Sequence, residues 1–161
     1  IPTLSGASQT RAAETCNNAG NASFNSTEGV LYAEISALAN VDVVHSDMIL
    51  EGGAFFSDGK GTFLTTESCL LNKNRNPHMT RKDIEQEFTR MLGAKKIIWL
   101  PGSQIEVETN GHIDGIASFC APGKILFNTA PVDSGEYYRE TRENRRALEL
   151  AIDENGNHLQ I

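Results

Sequence analysis

The chain predicts an α/β protein built from repeated modules, on three observations. Short apolar runs of strand length alternate with stretches of helical period, a tight-turn hairpin signal lies between them, and the order returns. The return has a period of roughly fifty residues, from 48–50 to 97–100 and on to 159–161, which suggests modules arranged around an axis. Two rounds are complete, and a third is expected to be cut off in its first strand.

Each element has its own warrant. Residues 1–27 are rich in Ser, Thr, Asn, Ala and Gly, bury too little to offset the entropy of ordering, and read as a polar arm, leaving 28–161 as the domain. Leu31, Ile35 and Leu38 recur at helical spacing, and residues 41–44 and 48–50 are strand-like, the latter run delivering Glu51 to a Gly52-Gly53 turn. Residues 54–56, the Asp58-Gly59 turn and 62–66 form a hairpin, because Asp-Gly supplies the positive dihedrals a tight turn demands. Thr80 is an N-cap for a helix carrying Ile84, Phe88 and Met91 or Leu92 on one face, with Gly93 as its stop. Strands follow at 96–100, 113–119 and 124–127, the last two around Ala121-Pro122-Gly123. A charged helix over 137–152 and an Asn155-Gly156-Asn157 turn lead into a strand start at 158–161.

Composition narrows the class of function. A net charge of −7 over 161 residues disfavours a nucleic-acid partner, and Arg139, Arg142, Arg145 and Arg146 are interleaved with Glu136, Glu140, Glu143 and Glu149 as on a solvated helix face. No apolar run approaches the ~20 residues of a membrane span, so no membrane partner and a soluble chain are expected. Cys16, Cys69 and Cys120 lack metal-motif spacing and read as free thiols. Sequons at Asn21 and Asn25 would permit glycosylation in a secreted chain, so the compartment stays open. Ile1 in place of Met points to a processed, trimmed or internal piece.

The chemistry-bearing stretch is Glu108-Thr109-Asn110-Gly111-His112-Ile113-Asp114. Were it extended, alternate side chains would share a face and His112 and Asp114 would converge on one small cation. The same residues also fit a solvated glycine-turn loop.

Seven motifs, taken in order, resemble agmatine deiminases and the bacterial peptidyl-arginine deiminases. They are Leu50-Glu51-Gly52-Gly53, Asp58-Gly59-Lys60-Gly61-Thr62, Thr65-Thr66-Glu67-Ser68-Cys69-Leu70-Leu71-Asn72, Asn74-Arg75-Asn76-Pro77, Trp99-Leu100-Pro101, the stretch from Glu108 to Asp114, and Phe119-Cys120-Ala121-Pro122-Gly123. The resemblance runs from about Val41 onward, leaves the first 27 residues unmatched, and implies a pentein-like, five-bladed α/β propeller of strand-strand-helix-strand modules. It further implies guanidine hydrolysis without a cofactor, agmatine and water giving N-carbamoylputrescine and ammonia, and it favours a cytoplasmic enzyme.

The resemblance assigns roles that agree with elementary chemistry. A guanidinium is a planar fork of donors best held by fixed carboxylates, and its carbon is a poor electrophile until a thiolate is aligned with it. Asp114 is expected to hold the fork, His112 to carry protons, and Glu51 to bind substrate and orient His112. Glu51 would otherwise only cap a turn. The family's nucleophilic cysteine and its upstream guanidinium-binding aspartate have no counterpart here, Cys69 and Cys120 falling at other motif positions, and Asn110 replaces the usual aspartate. The chain alone is therefore expected to be inactive. Alternatives are a non-catalytic relative that binds guanidines or polyamines, a peptidyl-arginine deiminase-like activity, and metal binding by His112, Asp114 and Glu51, for which no further ligand stands at suitable spacing. Exposed edges would favour a homo-oligomer or pairing with the rest of a propeller.

Overall fold

The computed structural model describes residues 38–40, 44 and 46–161, and the chain divides into two compact units, Ile1–Ile49 and Leu50–Ile161. The expected arm, both sequons, Cys16 and nearly all of the expected 31–38 helix lie outside the described residues. In the first unit, Met48 and Ile49 are buried, but 48–50 is not a strand: Met48 N–H donates to Ser46 Oγ at 3.1 Å, and no strand of the described residues pairs with the run.

In the second unit a 3₁₀ turn (Gly52–Ala54) leads into β1 (Phe55–Ser57) and β2 (Thr62–Thr66), followed by a short α1 (Glu67–Leu70), α2 (Arg81–Leu92) and β3 (Lys96–Leu100). A second 3₁₀ turn (Ile113–Gly115) then leads into β4 (Ala117–Ala121), β5 (Lys124–Phe127) and α3 (Glu136–Leu150). β1 and β2 are the expected antiparallel hairpin, with Asp58 Oδ1 accepting from the N–H groups of Lys60, Gly61 and Thr62 inside the turn. β3 joins β2 in parallel after the α2 crossover. β4 and β5 are again antiparallel, and after α3 Gln160 bridges Lys124 in parallel. The first module is therefore strand-strand-helix-strand and the second strand-strand-helix followed by the single Gln160 bridge where a strand was expected at 158–161, and each starts at its hairpin and not at the run that precedes it.

α2 matches its sequence signals. Thr80 and Asp83 form a reciprocal capping box, and Gly93, at φ 69°, closes the helix with its N–H on the carbonyls of Phe88 and Thr89. Helix and sheet meet through Phe88, which sits edge-on to Phe55 and Phe63 at 5.9 and 5.7 Å between ring centres. Each such aromatic pair adds about 0.5–1.5 kcal/mol beyond area burial. On β3, Trp99 faces the same helix, donating to Glu85 at 2.9 Å and lying under the Arg81 guanidinium.

The opposite face of this sheet carries the second module. Leu64, Ile98 and Leu100 pack with Ile113, Ala117, Ile125 and Leu148 in one buried cluster. β2 is covered on both faces and is buried at every position, which is why it reads as a run and not as an alternation. The expected strand over 113–119 is corrected in its first half. Ile116 N–H returns to Ile113 O at 2.9 Å, so the chain turns tightly before β4 starts.

Candidate active site

The two 3₁₀ turns bring the expected residues together. Glu51 is the N-cap of the first and His112 the N-cap of the second, both with extended ψ (157° and 144°), so each side chain leaves the backbone just ahead of a module's first strand. His112 Nε2 lies 3.3 Å from Glu51 Oε2. The other side of the imidazole faces Gly53: a Cβ there would come within 2.6 Å of His112 Nδ1 and 2.5 Å of Asp114 Oδ2. Only a residue without a side chain lets the ring and the Asp114 carboxylate approach the same point. His112 and Asp114 thus converge, but by a tight turn and not by the extended alternation expected.

Arg75 fixes Glu51. It is 9% exposed, and its Nε lies 2.8 Å from Glu51 Oε2 and 3.1 Å from Oε1, while Nη1 and Nη2 donate to Cys69 O and Thr109 O, each at 3.1 Å. A guanidinium held at these points orients the carboxylate before it meets His112. Arg75 stood inside a recognised motif, but nothing in its sequence neighbourhood says that it reaches back 24 residues to Glu51.

The loop carrying His112 is wound around a second missed residue, Glu106. Its carboxylate accepts from the N–H groups of Glu108 (2.6 Å), Thr109 (3.0 Å) and Gly111 (2.7 Å) and from the Thr109 hydroxyl. These donors, the hydroxyl first, hold the Glu106 pKa down at about 2. Asn110 and Gly111 are left-handed at φ 62° and 78°, a region open to Asn and Gly at little cost. Thr66 Oγ1 and Ser68 Oγ donate to the carbonyls of Gly111 (2.6 Å) and Asn110 (2.9 Å), tying the loop to the end of β2. Asn110 Oδ1 accepts from Asn74 Nδ2 at 3.1 Å and faces Arg75 Nη1 at 3.5 Å, so the amide keeps the acceptor that an aspartate would offer and drops its charge.

His112, Asp114 and Glu106 line a cavity of about 360 Å³ that reaches Phe127, Tyr137 and Glu140. Its far wall is pinned by Asn144 of α3, which donates to Gly102 O at 2.7 Å and accepts from Gly102 N–H at 2.9 Å. Cys69 and Cys120 are free thiols, as expected. Cys69 is buried beside Arg75, and desolvation pushes its pKa up to about 11, so it is protonated at neutral pH. Cys120 is exposed on β4 and does not line the cavity. One donor atom from each of Glu51, Cys69 and His112 lies within 4.8 Å of the other two, a metal-capable set that differs from the expected one by having Cys69 where Asp114 stood.

Two successive α/β modules, each opening on a hairpin, with an imidazole set against a carboxylate where they meet, define the class of this fold. The sequence profile of the Porphyromonas-type peptidyl-arginine deiminase family matches residues 16–161, and the chain belongs to that family. The agmatine deiminase of Medicago truncatula is 41% identical over 115 residues, 71% of this chain and 31% of that protein. Among solved structures, the agmatine deiminase of Enterococcus faecalis superposes with a TM-score of 0.73 at 36% identity, covering 80% of this chain and 35% of its own. A cysteine-to-serine form of the C. jejuni agmatine deiminase with substrate bound gives 0.72 at 27% identity, covering 89% and 42%. The chain thus spans less than half the length of the relatives it matches. No helix of the described residues is long and apolar enough to cross a membrane.

Proposed function

We propose that this chain supplies the imidazole and carboxylate half of an agmatine deiminase-type guanidine site. The observation that carries the reading is His112 Nε2 at 3.3 Å from an Arg75-fixed Glu51, with Asp114 brought beside the same ring over Gly53. Asp114 grips the guanidinium nitrogens, Glu51 orients the imidazole and offers the substrate a second carboxylate, and His112 moves protons. In the whole reaction a thiolate adds to the guanidinium carbon, and the C–N bond to one amino group breaks. That group leaves as ammonia with a proton from His112, and water activated by His112 then cleaves the C–S bond to give the ureido product. Neither Cys69, held as a thiol, nor Cys120, outside the cavity, is suited to the attack. The reading therefore places the nucleophile elsewhere, and the two modules as blades of a five-bladed propeller.

Calorimetry with agmatine is expected to show binding that Asp114→Asn weakens about tenfold, the loss of one charge-assisted bond of ~1.4 kcal/mol. Ammonia release by the chain alone should be absent. Turnover abolished by Cys69→Ala or Cys120→Ala would sink the assignment of the nucleophile, and absence of agmatine heat at millimolar concentration would sink the site.

A further inference from the structure

Beside the imidazole–carboxylate pair sits a group that guanidine hydrolysis leaves unused. The Cys69 thiol lies on α1 with its backbone N–H on Thr66 Oγ1 at 3.3 Å, and Arg75 is anchored on the Cys69 carbonyl. The thiol is completely buried, yet a donor atom of Glu51, of His112 and of Cys69 itself form a triangle with no side longer than 4.8 Å. One thiolate, one imidazole nitrogen and one carboxylate oxygen make a donor set suited to a borderline-soft divalent ion, and a poor one for calcium or magnesium, which take oxygen alone. A tetrahedral ion with bonds of about 2.0–2.3 Å spans such a triangle after small side-chain rotations. Of the three donors, His112 lines the cavity, and its ring is the side from which an ion would approach.

We propose that Glu51, Cys69 and His112 form a three-donor site for a thiophilic divalent metal ion, Zn²⁺ in kind, whose occupation excludes guanidine chemistry. Binding exchanges the Cys69 S–H proton, released to solvent, for a metal–sulfur bond, with no change in oxidation state. Thiolate and Glu51 cancel the charge of the ion. Arg75, paired with Glu51 and hydrogen-bonded to the Cys69 sulfur, is the group that the ion must displace from both donors, and the Glu106 carboxylate nearby offsets the added charge. Binding itself is independent of the guanidine reading. Only the exclusion rests on it, because the ion takes the ring nitrogen and the carboxylate that proton transfer needs.

Titrating the reduced 161-residue chain with Co²⁺ tests the site. A near-ultraviolet thiolate-to-cobalt charge-transfer band should saturate at one ion per chain and be bleached by Zn²⁺. Cys69→Ser should remove the band, and a Cys16→Ser, Cys120→Ser double variant should keep it. His112→Ala, which trims a side chain at the cavity wall and leaves the core intact, should weaken Co²⁺ binding by at least about tenfold. It decides the matter even if Cys69→Ser does not fold. No band in the parent chain, a band that survives Cys69→Ser or is lost in the double variant, or unchanged affinity in His112→Ala, each overturns the proposal. Agmatine calorimetry in chelator, run separately, tells failure of the guanidine site from failure of the metal site.

Discussion

The first module opens with a 3₁₀ turn capped by Glu51 and the second with one capped by His112, and the two turns differ where they face each other. The middle residue of one is Gly53, and the middle residue of the other is Asp114, whose carboxylate occupies the place that a Gly53 side chain would need. Behind the turns the contrast widens. β2 is buried at all five positions between α2 and the second module, whereas β5 is covered on one face and leaves Leu126 62% exposed. The same local plan thus yields a rigid anchor for the carboxylate and a half-covered carrier for the imidazole. A site at the joint of two modules needs only one of them to be fully packed, provided loop bonds hold the other.

Core truncations test that contrast most strongly. Phe88→Ala removes the ring on which Phe55 and Phe63 converge and should cost about 3–5 kcal/mol in urea unfolding. Leu148→Ala, in the cluster shared by both modules, should cost about 2–5 kcal/mol, while Leu126→Ala should stay within about 0.5 kcal/mol. A cost for Leu126 equal to that for Leu148 would mean that the outer face of β5 is covered in solution, and the asymmetry would fall.

A smaller effect probes the meeting of the turns. Gly53→Ala should push His112 and Asp114 apart and weaken agmatine binding by about tenfold, ~1.4 kcal/mol, with little change in unfolding. Gly52→Ala, which meets nothing within 4 Å, is the control and should bind as the parent does. Equal affinities for the two variants would show that the close approach does not matter to the cation.

How far the sequence carries depends on whether a signal is local. The Thr80 cap, the Gly93 stop and the Asp58-Gly59 turn satisfy backbone groups within a few residues, and α2 and the first hairpin stand where those signals put them. The α/β class and the agmatine-deiminase likeness were legible too, since ordered motifs survive without knowledge of contacts. The strand at 48–50 failed because an apolar run becomes a strand only beside a partner, and the extended reading of the His112 stretch failed because Glu106 collects its N–H groups into a turn. Arg75 and Glu106 escaped notice for one reason: each acts through partners that the fold alone selects, Arg75 across to Glu51 and Glu106 within a loop whose path the left-handed Asn110 and Gly111 set.

Those two residues also give the mildest and most diagnostic contrast, because Glu51 is held by a cation and the His112 loop by an anion. Glu106 titrates in the folded chain at about 2 against an ordinary 4.5, its charged form being favoured by the Thr109 hydroxyl and then by backbone N–H groups. A depressed carboxylate contributes stability that is fully present above about pH 4.5 and is lost as the pH falls toward about 2. Glu106→Gln should therefore lower the melting temperature by about 2–4 °C at neutral pH, the size of one net hydrogen bond, and the gap should close between those two pH values. Melting curves of parent and variant from pH 7 down to pH 2 check that closure. A gap that persists unchanged at the acid end would mean that Glu106 acts through its shape and not its charge, and the loop would then be held no differently from the anchor.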